Sequence, residues 1–225
     1  LDQRVPADEI AVLARRNRDV RDIALELGRR GLKVTTPGLI TPDGPAGSLA
    51  SVCTYVDGSN ASLPRIVYAL GKDRFGVSTL NRAIEVSSSP EAADASSCDE
   101  DLKLLVREIE RLDSSLQKLA YSGDAFDMIC AFLFDGSAYL RQILKNQNES
   151  QRILDISEII SALSWAIAYR YSHPDTVPKQ SRLGFGQYFR GILTSAKPSI
   201  APPRKLAGAI QVMTCHASKG LQFPC

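Results

Sequence analysis

Histidine is nearly absent: His173 and His216 are the only two in 225 residues, which leaves little material for a histidine-based metal site. Cysteine is sparse and scattered. Cys53, Cys98, Cys130, Cys215 and Cys225 are odd in number and form no Cys-x-x-Cys pair. That argues against a disulfide framework and a zinc site, and favours a reducing compartment, the cytoplasm. Cys215 and His216 are neighbours on a candidate strand, where successive side chains point to opposite faces, so they do not form a nucleophile–base dyad. No apolar run reaches the roughly 18 residues that span a bilayer. Leu1-Asp2-Gln3-Arg4 does not begin a signal peptide. No membrane partner is expected. An initiator methionine is lacking too, and Phe223-Pro224-Cys225 stops inside an apolar segment; both are expected of an excised piece of a longer protein.

Acid is scarce in one place. Between Arg170 and Lys205 the single acid is Asp175, against Arg170, Lys179, Arg182, Arg190, Lys197, Arg204 and Lys205. Such a stretch could attract phosphates, or could be a solvated loop and helix face. The remaining composition, 44% hydrophobic and 23% charged, is ordinary for a globular chain long enough to form its own core.

Along the chain, three regions read differently. Ile10-Ala11-Val12-Leu13-Ala14 suits a buried parallel strand. A helix follows over Arg15–Arg30, with Val20, Ile23, Ala24 and Leu27 at i, i+3, i+4, i+7 and Gly31 to end it. Leu32-Lys33-Val34-Thr35 is a second strand, completing a β-α-β unit. Residues 38–205 are helical by pattern. Short helices are expected at 46–56, 61–70 and 76–84, and a Ser/Ala/Asp-rich loop at 86–98. Longer helices carry Leu105, Ile109, Leu112, Leu116 and Leu119; then Phe126, Ile129, Phe132 and Leu133, capped by Asp124 and broken at Asp135-Gly136; then Ile153, Ile156, Ile160, Leu163 and Ile167, with Pro174 beyond; then Phe185, Tyr188, Phe189 and Ile192. Trp165 with Tyr169, and Tyr188 with Phe189, read as core sooner than as base-stacking platforms. His173, beside Pro174 at a helix end, faces solvent or the local dipole. Finally Ala209–Thr214 is a strand running into a small, polar turn, His216-Ala217-Ser218-Lys219-Gly220.

The simplest architecture unites the ends of the chain in one parallel sheet and inserts the helical region between them. A parallel sheet must be covered on both faces, so this small α/β part needs more strands than the chain supplies. The carboxyl end of the last strand is where ligands bind in open α/β sheets. Thr214 and Ser218 offer hydroxyls to phosphate, Lys219 a point charge, and Gly220 a close backbone approach.

Val212-Met213-Thr214-Cys215-His216-Ala217-Ser218-Lys219-Gly220-Leu221-Gln222-Phe223 resembles a signature segment of superfamily 1 DNA helicases of the UvrD/Rep and RecB/AddA kind, whose pattern is apolar-Met-Thr-x-His-x-(Ala/Ser)-Lys-Gly-Leu-Glu-Phe. Ile10–Asn17 is similar to an earlier family segment, an apolar strand followed by Arg-x-Asn. Between them, Asp135-Gly136 with Ala138-Tyr139-Leu140, the Ile-rich helix at 151–168, and Leu183–Phe189 loosely resemble the RecB/AddA branch.

The resemblance implies a mainly α chain with a small α/β portion. Residues 1–37 and 206–225 would be a partial second RecA-like motor domain of parallel strands, and residues 38–205 a large helical insertion subdomain. Arg15, Asn17, Thr214 and His216 would contact single-stranded DNA; Lys219, Gly220 and Gln222 would lie at the nucleotide. The family has Glu where this chain has Gln222. An amide still accepts from a ribose hydroxyl but without the charge-assisted strength, so Gln222→Glu in the full-length protein is expected to lower the KM for ATP. ATP and Mg2+ are expected in the intact parent and neither bound to this piece. There is no Gly-x-x-x-x-Gly-Lys-(Ser/Thr) loop and no Asp-Glu pair closing a candidate strand, so the piece should not hydrolyse ATP. Expected partners are single-stranded and duplex DNA, the first motor domain, and a nuclease or helicase partner subunit, in DNA repair or recombination near the nucleoid. The alternative is a non-enzymatic helical module, binding protein or DNA, in an inactive helicase relative.

Overall fold

The computed structural model describes residues 5–36, 44–58, 62–88, 99–194, 208–215 and 218. They are mostly helical, with one small parallel sheet. After a 3-10 turn at Ala7–Glu9 come β1 (Ala11–Ala14), α1 (Asn17–Arg29) and β2 (Val34–Thr35). Eight helices follow: α2 (Pro45–Tyr55), α3 (Ser62–Gly71), α4 (Val77–Ser88), α5 (Glu100–Lys118), α6 (Ala125–Cys130), α7 (Tyr139–Lys145), α8 (Glu149–Ser172) and α9 (Pro178–Thr194). A π-helical segment, Ala131–Gly136, continues α6, and β3 (Ile210–Thr214) closes the described chain. No described helix is long and apolar enough to cross a membrane.

The strand order is β1-β3-β2, all parallel. Val12 pairs with Val212 and Ala14 with Thr214 on one side; Val34 pairs with Ile210 on the other. The last strand in sequence is therefore central in space, and every residue of it is buried, the polar Gln211 and Thr214 along with Ile210, Val212 and Met213, as suits a parallel strand paired on both edges. Its flanks are weaker: β2 has two residues, and β1 leaves Leu13 half exposed.

By compactness the chain divides into two units. One takes in the described residues among 1–46, 143–165 and 190–225; the other takes in those among 47–142 and 166–189. The sheet's unit thus includes most of α8, a helix that the sequence pattern assigned to the helical region. Its core joins Val20 and Ala24 of α1 to Ala14, Val34, Ile210 and Val212 of the strands and to Leu154 of α8, with Ile23 and Leu27 packed alongside. Gly31 ends α1 with φ +79°, a value a residue without Cβ adopts at no steric cost.

In the helical unit, α5 buries Leu102, Leu105, Ile109, Leu112 and Leu116, one per turn, against α3, α4 and the π segment. Asp99 caps α5 by accepting from the amides of Asp101 and Leu102. Asp124 opens α6 with a reciprocal capping box to Asp127. The α6–π helix ends at Gly136, where Ser137 returns its hydroxyl to the Phe132 carbonyl at 2.7 Å.

Two expectations change. The isoleucine stripe of α8 is not its buried face: Ile160 and Ile167 are exposed, while Leu154, Glu158, Ile159, Ala162 and Ala166 are buried. A charged residue lies on the buried face because it is fully paired. Glu158 accepts from Arg21 at 3.0 Å and from the Ala46 amide at 3.4 Å. The other change concerns 86–98. Residues 86–88 are the last turn of α4, and 89–98 lie outside the described residues.

Candidate functional site

The carboxyl ends of β1 and β3 lie side by side. Ala14, the last residue of β1, is in register with Thr214, the last of β3. The pairing continues one step further, where the Cys215 amide donates to the Ala14 carbonyl at 2.9 Å. Beyond it, the Ser218 amide donates to the Thr214 carbonyl at 3.1 Å. Arg15 leaves β1 at this same edge, and α1 starts two residues later. Segments some 200 positions apart in sequence thus meet at the end of the sheet where ligands bind in open α/β folds.

The predicted residues fare differently here. Arg15 is exposed and, among the described residues, has no hydrogen bond or ion pair. Thr214 is buried within the central strand. Asn17 is the first residue of α1, and the capping position falls on Arg16, in extended backbone and without a side-chain cap bond. The Ser218 hydroxyl, expected to serve a phosphate, donates to the Cys215 carbonyl at 2.9 Å instead. His216, Lys219, Gly220 and Gln222 lie outside the described residues.

The basic stretch, open to two readings in the sequence, is partly accounted for in the helical unit. Arg182, in the middle of the basic stretch, has no exposure at all. It donates to Asp57 at 2.7 Å and to the carbonyls of Leu119, Ala120 and Gly123 at 3.4, 2.8 and 3.3 Å. Lys179 pairs with Asp57 at 3.5 Å and sits over the Tyr121 ring; Arg170 pairs with Asp124. Arg182 thus serves the fold and is closed to a phosphate, while Arg170 and Lys179 pair with acids distant in sequence but keep much of their side chains exposed. The aromatic residues nearby are structural as well: Phe185 and Phe189 are buried and stacked at 5.0 Å, and Tyr169 packs edge-on against Phe185. His173, exposed, stacks on Tyr169.

Sequence reading missed the Arg21–Asp155–Glu158 cluster and the Arg182–Asp57 pair. Both join residues more than a hundred positions apart, and no local pattern announces such a pairing. Each unit has a cavity lined by described residues. One of about 260 Å3 lies at the amino end of β2, lined by Gly28, Arg29, Lys33 and Glu149 among others. One of about 580 Å3 in the helical unit is lined by Phe126, Ile167, Tyr171 and Pro178 among others. No group of three or more metal-ligating side chains occurs among the described residues. Compared with protein-family models and with curated proteins, the chain has no match.

Proposed function

We propose that this chain is part of an ATP-driven DNA translocase or helicase of superfamily 1, of the UvrD/Rep and RecB/AddA kind, and that it acts on single-stranded DNA without hydrolysing ATP by itself. The sheet would belong to the second RecA-like motor domain and the helices to its insertion subdomain. The observation that carries the reading is the meeting of β1 and β3. Two segments that resemble helicase family segments, at opposite ends of the sequence, form adjacent parallel strands with Arg15 and Thr214 at one edge. In the assembled motor Arg15, Asn17, Thr214 and His216 would follow the DNA backbone, while Lys219, Gly220 and Gln222 would face the nucleotide. Magnesium and ATP would be held mainly by the first motor domain, in the cytoplasm at the nucleoid, during repair or recombination.

Arg15 is the direct test. Its exposed guanidinium should contribute one phosphate contact, so Arg15→Ala should weaken binding of oligothymidylate. It should also lower the slope of log K against log salt by about 0.7, the value for one single-strand phosphate. Equal binding and equal slopes in the two proteins, followed by fluorescence anisotropy across a salt series, would refute the assignment. A second reading, a helical module that binds protein or DNA without an enzymatic role, is favoured by one observation: Arg182, in the middle of the basic stretch, is buried and consumed by an internal ion pair. Salt-independent binding to a protein partner, with no measurable binding to DNA, would select it.

A further inference from the structure

Two arginines follow β1 in succession, and they are held differently. Arg16 is clamped by Asp19: its Nε donates to Oδ2 at 3.1 Å and its Nη2 to Oδ1 at 3.0 Å, a two-pronged fork that fixes geometry as well as charge. The contact favours the charged form of both partners. The Asp19 hydrogen bond and charge raise the Arg16 pKa, and the Arg16 hydrogen bond, the largest cause, holds the Asp19 carboxyl below its ordinary value. Arg15, one residue earlier, is exposed and engages no partner among the described residues. Both follow directly on Ala14, whose cross-strand partner is Thr214. A phosphate reaching this edge therefore meets one available guanidinium, one already neutralised, and one carboxylate that is neutralised only while Arg16 stays in place.

We infer that Asp19 sets the phosphate affinity of this edge by keeping Arg16 occupied: Arg15 takes the phosphate, Arg16 is a reserve cation, and Asp19 is the positioning residue. The inference rests on the reading of the edge as phosphate-facing and adds to it a regulator that the family pattern of Arg-x-Asn does not contain. The recognised group is a phosphate, supplied by a DNA backbone or by the phosphate chain of a nucleotide. An exposed ion pair has modest strength, so freeing Arg16 should change affinity by a small factor and not by orders of magnitude.

The test uses the whole 225-residue chain with two probes, oligothymidylate and ATP, at low salt. Asp19→Asn removes the carboxylate charge at nearly constant volume. It should tighten binding about two- to fivefold and steepen the oligothymidylate salt slope by about 0.7, as expected for one added phosphate contact. The double change Asp19→Asn with Arg16→Gln should return both quantities to the wild-type values. If the single variant loses helicity by circular dichroism, Asp19→Ser, which keeps an acceptor in the first turn of α1, replaces it. Tightening for oligothymidylate alone makes the DNA backbone the source; tightening for ATP alone makes it the nucleotide. No tightening, or a double variant as tight as the single one, overturns the role of Asp19 while leaving Arg15 in place. If the wild type binds neither probe, or no better than Arg15→Gln, the phosphate-facing edge itself is overturned and the inference falls with it.

Discussion

At the scale of single residues, the helical unit depends on one buried cation. Arg182 has its guanidinium among three carbonyls and the Asp57 carboxylate, an arrangement suited to a planar fork and poorly suited to an ammonium. Its Nε is the one guanidinium nitrogen left without a partner among the described residues. Removing one partner of a buried pair leaves the other charge uncompensated. Arg182→Ala should therefore lower the unfolding free energy by about 3–5 kcal/mol, measured by denaturant titration, and Arg182→Lys should recover less than half of that loss. Tyr55, in the same unit, gives a pH-dependent effect. Burial, with the nearby Asp113 carboxylate, pushes its phenol up to about 12 from an ordinary 10.0. The folded state favours the neutral phenol, so this stabilisation is complete below pH 10 and is lost as the pH rises to 12. In denaturation midpoints collected across that interval, Tyr55→Phe should show a smaller decline than the wild type; parallel declines would remove Tyr55 as a cause.

At the scale of elements, close approach of backbones decides what substitutions are allowed. A Cβ added at Gly186 of α9 would stand 2.7 Å from Cγ2 of Thr54 and 3.6 Å from Cβ of Cys53, both in α2. Thr54 is itself buried and bonded to Ser62 at 2.9 Å, so it has little freedom to yield. Gly186→Ala should cost about 1–3 kcal/mol by overpacking, although alanine is the better helix former in isolation; a rise in the thermal midpoint would contradict this packing. Elements were the most legible part of the sequence. The leucines of α5 repeat once per turn, and Asp124 and Gly31 mark helix ends by local chemistry, so pattern alone locates them. The buried face of α8 was not legible. Its isoleucine stripe is more apolar than the face that is buried, and the exchange occurs because Glu158 finds Arg21 and the Ala46 amide, partners invisible in the local sequence.

At the scale of the whole molecule, the sheet depends on a strand that arrives last. β1 and β2 each pair with β3 and not with each other. A chain ending at residue 207 would leave both without a ladder partner and would strip Ile210 and Val212 from the core they share with α1. Such a truncation should expose residues 10–36 to rapid proteolysis, while α5, with five buried apolar side chains, keeps its protection. Comparable cleavage of residues 10–36 in the intact and shortened chains would show that α1 and the two short strands need no central strand.

The sequence by itself determined most of the helices, the helix ends at Asp124 and Gly31, and the three strands, because these follow from residue spacing within a few turns of chain; α7 (Tyr139–Lys145) and the Asp99 cap of α5 had to be seen in the structure. The family resemblance of its two end segments drew attention to Arg15 and Thr214. Only the tertiary structure decided that β3 lies between β1 and β2, that Asp19 occupies Arg16 and leaves Arg15 available, and that Arg170, Lys179 and Arg182 are bound to acids of the fold. Strand order and ion pairing are set by which distant groups can satisfy one another's hydrogen bonds and charge, and that choice is made in space and not along the chain.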